Sequence, residues 1–197
     1  MRAFLATLCS ILTAALLAAC SGGGEPAKFK LTDVTGAGFG KALDLTDHHG
    51  KPRTLADFRG KVVTVFFGFT HCPDACPTTL AEMAQVMKEL GPDAERVQVL
   101  FVTVDPERDT QPVLQQYVPA FHPAFLGLYG DAAATARAAK EFKVYYSKQP
   151  GKSGGYSMDH SAGTFILDRE GRLRLFAQYG QGAPALVHDI RLLLKQG

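Results

Sequence analysis

The chain has 197 residues, of which 46% are hydrophobic and 20% charged, and its 21 Lys and Arg against 19 Asp and Glu give a formal net charge of +2. This near-neutral balance, without a basic run, argues against a nucleic-acid-binding protein. The roughly 170 residues that follow an N-terminal leader are enough for one domain with a hydrophobic core. The sequence has no internal repeat and no sign of a second domain boundary.

The first residues are typical of a secretory signal rather than of folded structure. One charge, Arg2, precedes an apolar run that ends at Leu17, and small residues follow it. Charge, short apolar core and small-residue stop are the parts of a signal peptide, and this run is short for a membrane span. The tetrad Leu-Ala-Ala-Cys at residues 17–20 resembles the lipobox of bacterial lipoproteins. That resemblance implies removal of the signal and acylation of Cys20.

The chain is thus expected to have three parts. We predict a lipoprotein signal peptide over residues 1–19, a lipid attachment and flexible tether over residues 20–30, and one folded domain over residues 31–197. The protein is then expected to be a periplasm-facing lipoprotein held on the cytoplasmic membrane. An ordinary cleaved signal with a chance cysteine is the alternative.

Counting the cysteines narrows the chemistry. Of the four, Cys9 lies in the predicted signal and Cys20 at the predicted lipid site. Only Cys72 and Cys76 remain as thiols, four positions apart, in an exported and oxidising compartment.

Two apolar runs predict the centre of a β-sheet. Residues 62–69 and 97–104 are rich in β-branched and aromatic side chains and do not alternate between apolar and polar. Such runs are typical of central strands that are covered on both faces. Between them the spacing of apolar residues predicts a helix from Pro77 to Leu90, which Gly91 and Pro92 end.

The later elements complete a recognisable order. Strands that alternate with helices imply parallel βαβ units, and a terminal hairpin adds an antiparallel edge. We therefore predict an α/β protein with a thioredoxin-like fold, in which helices flank a central mixed sheet. The elements expected after the second strand are helices from near Pro112 to Phe121, from Ala132 to Phe142 behind an Asp131 cap, and from near Pro184 onward, with a hairpin of Thr164–Leu167 and Leu173–Phe176.

An N-terminal extension precedes this layout. The segment from Leu31 to Leu55 is predicted to form an extra hairpin around His48-His49-Gly50, with both histidines solvated in its turn.

The chemistry-bearing motif lies between the first central strand and its helix. Open α/β sheets bind ligands at the carboxyl ends of their strands. Cys72 and Cys76 are i and i+4, so a helical turn would place both sulfurs on one face. The positive end of the helix is expected to lower the thiol pKa and favour the thiolate, which both metal binding and disulfide exchange require.

A third ligand is needed to complete a metal site. Two soft sulfurs favour Cu(I) over hard cations, and a structural zinc site would normally need four protein ligands. His160 precedes the Thr164 strand and is expected beside the cysteine loop, whereas His71 adjoins Cys72 and would chelate with strain. The remaining histidines are less suitably placed; they are His48, His49, His122 and His188.

Three segments carry a resemblance to a known family. From about Phe39 to Lys195 the chain resembles the Sco/SenC family of copper-binding assembly factors. The segments that match are residues 66–77 (Phe-Phe-Gly-Phe-Thr-His-Cys-Pro-Asp-Ala-Cys-Pro), residues 102–109 (Val-Thr-Val-Asp-Pro-Glu-Arg-Asp) and residues 156–161 (Tyr-Ser-Met-Asp-His-Ser).

The resemblance implies a function. It assigns copper binding, as Cu(I), Cu(II) or both, to Cys72, Cys76 and His160. It also implies a metallochaperone rather than an enzyme, with a periplasmic copper donor and cytochrome c oxidase subunit II as partners. The dinuclear copper site of that subunit would receive the metal or have its cysteines reduced. A lipobox stands where many members of the family carry a transmembrane helix.

Two acidic residues are assigned supporting roles. By the resemblance, Asp105 is expected near the site, where it tunes the cysteines or helps partners dock; a turn residue that accepts backbone hydrogen bonds is the alternative. Asp159 is expected to orient His160, with a solvated carboxylate as the alternative.

Two other functions remain open. A periplasmic thiol–disulfide oxidoreductase would share the fold and the thiols, and Cys72 and Cys76 are expected to form a redox disulfide. Against it, three residues rather than two separate the cysteines, and Gly163 stands where a redox thioredoxin has proline. A binding module with a merely structural disulfide is the second alternative, although so short a loop lowers the unfolded-state entropy only modestly.

Overall fold

A computed structural model describes residues 28–151 and 154–196. The predicted signal peptide, Cys20 and the tether up to residue 27 lie outside the described residues, as do residues 152 and 153. Within the described ranges, no helix combines the length and the apolar character that crossing a membrane requires.

The described residues form ten strands and four α-helices. The strands are β1 Thr32–Asp33, β2 Asp44–Asp47, β3 Pro52–Thr54, β4 Val62–Gly68, β5 Val97–Thr103, β6 Leu126–Tyr129, β7 Tyr146–Pro150, β8 Tyr156–His160, β9 Gly163–Leu167 and β10 Leu173–Gln178. The helices are α1 Ala75–Leu90, α2 Gln111–Tyr117, α3 Ala132–Glu141 and α4 Ala183–Lys195. Short 3₁₀ turns at Leu55–Phe58 and Gly91–Arg96 follow β3 and α1.

Eight strands form one mixed sheet in the order β1-β10-β9-β4-β5-β6-β2-β3. The central pair β4 and β5 is parallel, and every residue of both strands is buried. β6 is parallel to β5, whereas β9 and β10 run antiparallel. The predicted thioredoxin-like fold with its mixed sheet is confirmed. Strands β7 and β8 pair only with each other, outside this sheet.

The helix boundaries differ from the predicted ones by more than one residue at two ends. α1 begins at Ala75, ahead of Pro77, because proline is tolerated throughout the first turn of a helix. α2 ends at Tyr117 rather than Phe121. The predicted cap of α3 is confirmed, since the Asp131 carboxylate accepts a 2.7 Å hydrogen bond from the backbone N–H of Ala134.

The N-terminal hairpin is confirmed by the pairing of β2 with β3. One detail of it was wrong: His48 is buried, and only His49 is exposed. The Nδ1 atom of His48 accepts a 2.9 Å hydrogen bond from the backbone N–H of Gly127, which ties the hairpin to β6. The sequence prediction also omitted β1, β6, β7 and β8, which are short or polar.

Candidate metal centre

The cysteine loop joins β4 to α1 at the carboxyl end of the central strands. Cys72 is half-buried in the loop, and Cys76 is buried in the first turn of α1. The backbone N–H of Cys76 lies 3.4 Å from the Cys72 sulfur, and both cysteines are free thiols. The two sulfurs do not share a helical face as predicted, because Cys72 precedes the helix; the turn of the loop brings them together.

His160 completes the group from the other side. It is the last residue of β8, and its Nε2 atom lies 3.5 Å from the Cys76 sulfur. One ligand atom from each of Cys72, Cys76 and His160 lies within 4.8 Å of the others. Over the described ranges of the chain, this is the one group of three or more His, Cys, Asp and Glu side chains that could hold a metal ion. His71 is outside it and exposed, with Nδ1 3.1 Å from the Thr70 hydroxyl.

The His160 ring is held in a defined orientation. Phe66 and Phe69 pack against it with ring centroids 6.2 and 5.8 Å away and with the ring planes near perpendicular. Burial lowers the pKa of His160, so the imidazole is neutral at physiological pH. Its Nδ1 lies 3.0 Å from the carbonyl oxygen of Ser161, which can only accept a hydrogen bond. The proton therefore resides on Nδ1, and the Nε2 lone pair faces the Cys76 sulfur.

Burial also governs the Cys76 thiol. It raises the pKa of Cys76 far above the usual range of a thiol, and a backbone hydrogen bond from Phe69 lowers it less. The prediction of a lowered pKa is therefore wrong for Cys76, since loss of solvation raises the pKa more than the Phe69 hydrogen bond lowers it. A cation bound between the sulfurs would reverse this balance by stabilising the thiolate.

Gly68 provides the space that Cys76 occupies. A Cβ atom on Gly68 would lie 2.9 Å from the Cys76 sulfur and equally close to the rings of Phe66 and Phe101. All three neighbours are buried in the core. Any larger residue at the end of β4 would therefore push on the sulfur. The sequence showed this glycine within the matched segment but gave no signal of its role.

A buried carboxylate anchors the loop. Asp109 accepts hydrogen bonds from the backbone N–H of Thr70 at 3.0 Å, the Thr70 hydroxyl at 2.6 Å and the Thr103 hydroxyl at 2.6 Å. Thr70 begins the cysteine loop and Thr103 ends β5, so Asp109 holds the two strand ends together. Burial raises the pKa of Asp109. This anchor was missed, because an Asp in a turn carries no distinctive sequence signal.

The two predicted supporting acids lie differently. Asp105 is buried, with its carboxylate accepting from Arg108 and, at 2.7 Å, from the Tyr156 hydroxyl rather than touching the three ligands. Asp159 is exposed, and the polar partner of the His160 ring nitrogen Nδ1 is the Ser161 carbonyl. The orienting role of Asp159 stays a prediction; the charge of Asp159 acts to raise the pKa of His160.

The donor set favours a soft metal ion. Two sulfurs and one imidazole nitrogen suit copper in either common oxidation state, whereas Mg²⁺ and Ca²⁺ prefer oxygen ligands. A structural zinc site would take a fourth protein ligand, and none joins the group within the described residues. The geometry thus fits copper held by three ligands.

Comparison with known proteins points to one family. The family model described as SCO1/SenC matches residues 32–195. A mouse (Mus musculus) relative named "Protein SCO2 homolog, mitochondrial" is 43% identical over 152 residues, which make up 76% of this chain and 60% of that protein. The chain therefore spans less than two thirds of the length of this curated relative.

Solved structures agree with the family model. "Structure of Bradyrhizobium japonicum ScoI with copper bound" superposes with a TM-score of 0.73 at 39% identity, covering 79% of this chain and 99% of that one. "Solution structures of apo Sco1 protein from Thermus Thermophilus" gives a TM-score of 0.76 at 42% identity, with coverage of 87% and 100%. Because the family model matches most of this chain, residues 32–195, the chain belongs to the SCO1/SenC family.

Proposed function

We propose that this protein is a copper carrier that binds one copper ion through Cys72, Cys76 and His160. The observation that carries the proposal is the 3.5 Å approach of His160 Nε2 to the Cys76 sulfur, in a group whose three ligand atoms lie within 4.8 Å of one another. The solved structure of copper-bound ScoI from Bradyrhizobium japonicum, whose sequence is 39% identical to this chain, supports copper as the metal.

Loading and release follow from the exposure of the ligands. Each thiol loses its proton as its sulfur binds copper. A Cys72–Cys76 disulfide has no thiolate to offer, so copper loading requires both cysteines to be reduced. Cys72 is half-buried and Cys76 fully buried, which makes Cys72 the ligand that an incoming donor group reaches first. Exchange of ligands through Cys72 moves the ion to a partner without any net redox change and without catalytic turnover.

The proposed recipient is the dinuclear copper site of cytochrome c oxidase subunit II, and a periplasmic copper donor loads the carrier. Family membership and the resemblance of the three matched segments support this assignment. We further propose that acylated Cys20 holds the protein on the periplasmic face of the cytoplasmic membrane. Mass analysis of the purified chain tests the anchor: acyl mass on Cys20 is expected, and its absence with a cysteine still present would refute it.

A second function is favoured by one observation, the pairing of a half-exposed Cys72 with a buried Cys76. Such a dithiol can reduce a partner's disulfide through a mixed disulfide, passing two electrons and becoming the Cys72–Cys76 disulfide itself. His160 argues for metal binding instead. Gly163 also argues against an oxidoreductase. A Cβ added to Gly163 would lie 2.1 Å from the Phe176 ring, so there is no room at this position for the proline of a redox thioredoxin.

The first experiment is an anaerobic copper titration of the full chain, purified in detergent and fully reduced. Cu(I) competition and Cu(II) absorption are read for the unaltered protein, Cys72→Ala and His160→Ala, with His71→Ala as the matched control. One tight copper per chain is expected, abolished by the cysteine change, much weakened at His160 and unchanged at His71. Tight binding that depends on His71 rather than His160 would refute the site. Ready disulfide exchange without tight copper would favour the oxidoreductase.

Delivery needs its own assay. The copper-loaded chain is mixed with the reduced soluble domain of cytochrome c oxidase subunit II, and the absorption of the dinuclear centre is followed. Copper transfer with loss of copper from the carrier is expected. In a parallel assay the copper-free, reduced chain is mixed with the oxidised domain of the subunit. Reduction of the subunit's disulfide with formation of the Cys72–Cys76 disulfide, together with no copper transfer in the first assay, would favour a reductase of that subunit.

A further inference from the structure

The strand that carries His160 is not part of the main sheet. β7 and β8 pair only with each other, and an isolated two-stranded hairpin is marginally stable in water. The position of His160 therefore depends on side-chain contacts between this hairpin and the rest of the domain. Along β8, Tyr156, Met158 and His160 point inward, whereas Ser157 and Asp159 are exposed.

Tyr156, at the start of β8, makes the polar contacts of this inward face. Its hydroxyl donates a 2.7 Å hydrogen bond to the buried carboxylate of Asp105. Burial, and then the bond to Asp105, raise the pKa of Tyr156 to about 12, so the hydroxyl keeps its proton. The guanidinium of Arg108 lies 3.8 Å from the Tyr156 ring centroid and donates to its backbone carbonyl at 2.8 Å.

Arg108 connects this contact to the metal centre. The same guanidinium is bonded to Asp105 and lies 5.9 Å from the ring centroid of Phe69. Phe69 in turn packs edge-on against the His160 ring at 5.8 Å. A continuous set of contacts thus runs from the turn after β5, through Tyr156 and Phe69, to the imidazole. The hairpin also makes an ion pair between Lys148 and Glu107. This ion pair is exposed and therefore contributes little to holding the hairpin against the domain.

We propose, on the basis of the copper-carrier function above, that Tyr156 is a positioning residue which, held by Asp105 and Arg108, sets the hairpin so that His160 faces the two sulfurs. Tyr156 does not touch the metal ligands itself. It fixes the end of β8 opposite His160, and the ring of Phe69 transmits the packing. This also gives Asp105 a role: it acts on the site through the hairpin rather than on the cysteines.

The decisive variant is Tyr156→Phe, which removes one hydroxyl and leaves the ring under Arg108. Loss of a direct outer partner of a metal ligand weakens metal binding by about 10- to 100-fold. Because Tyr156 acts on His160 only through Arg108 and Phe69, copper affinity is expected to fall by no more than the lower end of this range, about tenfold. The matched control is Tyr145→Phe, which removes one hydroxyl from the residue directly before β7; that hydroxyl lies 3.0 Å from the Ser147 hydroxyl of β7. The control is expected to bind copper like the unaltered chain.

A double-mutant cycle separates positioning from stability. Copper competition is measured on the full reduced chain for Tyr156→Phe, His160→Ala and their combination. Tyr156→Phe is expected to weaken binding only while His160 is present, and to reduce the nitrogen hyperfine signal of the Cu(II) form. An equal loss in the His160→Ala background, or no loss at all, would overturn the proposal.

A metal-free readout completes the test. Hydrogen exchange of the β7 and β8 amides in the copper-free chain should be faster in Tyr156→Phe than in Tyr145→Phe, and equal rates would count against the positioning role. If the unaltered chain binds no copper, the carrier function itself fails. If it binds copper that Tyr156→Phe retains in full, only the role of Tyr156 fails.

Discussion

Gly68→Ala is the sharpest test of how the sheet makes room for the metal ligands. The new Cβ would lie 2.9 Å from the Cys76 sulfur, from a ring carbon of Phe66 and from a ring carbon of Phe101. Side-chain carbons do not tolerate such distances, and the three neighbours are at most 1% exposed. None of them is the flexible end of an exposed side chain, so the strain must move the sulfur or the strand.

The expected cost follows from packing. One extra methyl group in a full core destabilises by about 1–3 kcal/mol. The lower chain entropy of alanine in the unfolded state offsets about 0.4–1 kcal/mol of this. Gly68→Ala is therefore expected to lower the free energy of unfolding of the metal-free chain by about 1–2 kcal/mol. Displacement of the Cys76 sulfur should weaken copper binding by at least about tenfold.

Urea unfolding and copper competition measure these two effects separately. Gly38→Ala is the matched control, because Gly38 is exposed, has an ordinary φ and has open space around its Cβ direction. It should leave copper affinity unchanged. A Gly68→Ala chain with full stability and full affinity would refute the account of Cys76 as a sulfur fitted against β4. Lost stability with full affinity would show that the strand moves while the ligand stays.

Three further perturbations test the loop anchor, a buried ion cluster and the redox state. Asp109→Ala leaves the Thr70 N–H without its acceptor and should lower the free energy of unfolding, measured in urea, by about 2–4 kcal/mol. Asp109→Asn keeps one oxygen and should lower it less. Equal losses for the two variants would refute the hydrogen-bond account. Burial raises the pKa of Asp168, but bonds from Arg172 and Arg174 outweigh it and hold that pKa below its ordinary value. The stabilisation by ionised Asp168 is therefore present above the unfolded pKa of about 3.9 and is lost as pH falls through the folded value. Asp168→Asn should accordingly be about 1–3 kcal/mol less stable than the unaltered chain at pH 7, and this difference in stability should close below about pH 4. A difference in stability that does not change with pH would contradict this account. Oxidation of Cys72 and Cys76 to a disulfide should abolish copper binding until a reductant restores it, as copper titration before and after reduction would show; binding by the oxidised chain would refute the two-thiolate site.

The sequence predicts the parts of the fold whose signals are local. Continuous apolar runs predicted β4 and β5, the apolar stripe and Gly91 predicted α1 and its end, and Asp131 predicted the cap of α3. β6 was missed, because Leu126–Tyr129 is a four-residue strand with a glycine inside it. β7 was missed for a different reason: its sequence Tyr-Ser-Lys-Gln-Pro is polar, since one face of the hairpin is solvated.

The site follows the same division. Cys72, Cys76 and His160 could be chosen from residue chemistry, from their order along the fold and from the family resemblance. The side chains that hold these three ligands in place could not be predicted, because Gly68, Phe69 and Asp109 act through contacts between elements distant in sequence. His48 shows the same limit, since a histidine in a turn is expected in solvent unless a particular backbone N–H, here that of Gly127, needs an acceptor.

The construction of the site has a consequence for copper exchange. Cys76 is fixed by the core, between Gly68 and the first turn of α1, whereas Cys72 lies in a loop and His160 on a hairpin outside the main sheet. Two of the three ligands can therefore move without unfolding the domain, and the third cannot. Because local opening costs less than global unfolding, release of copper should begin at Cys72 or His160 and end at Cys76. A carrier needs this order, since a partner must take over the ligands one at a time while the last sulfur still holds the ion.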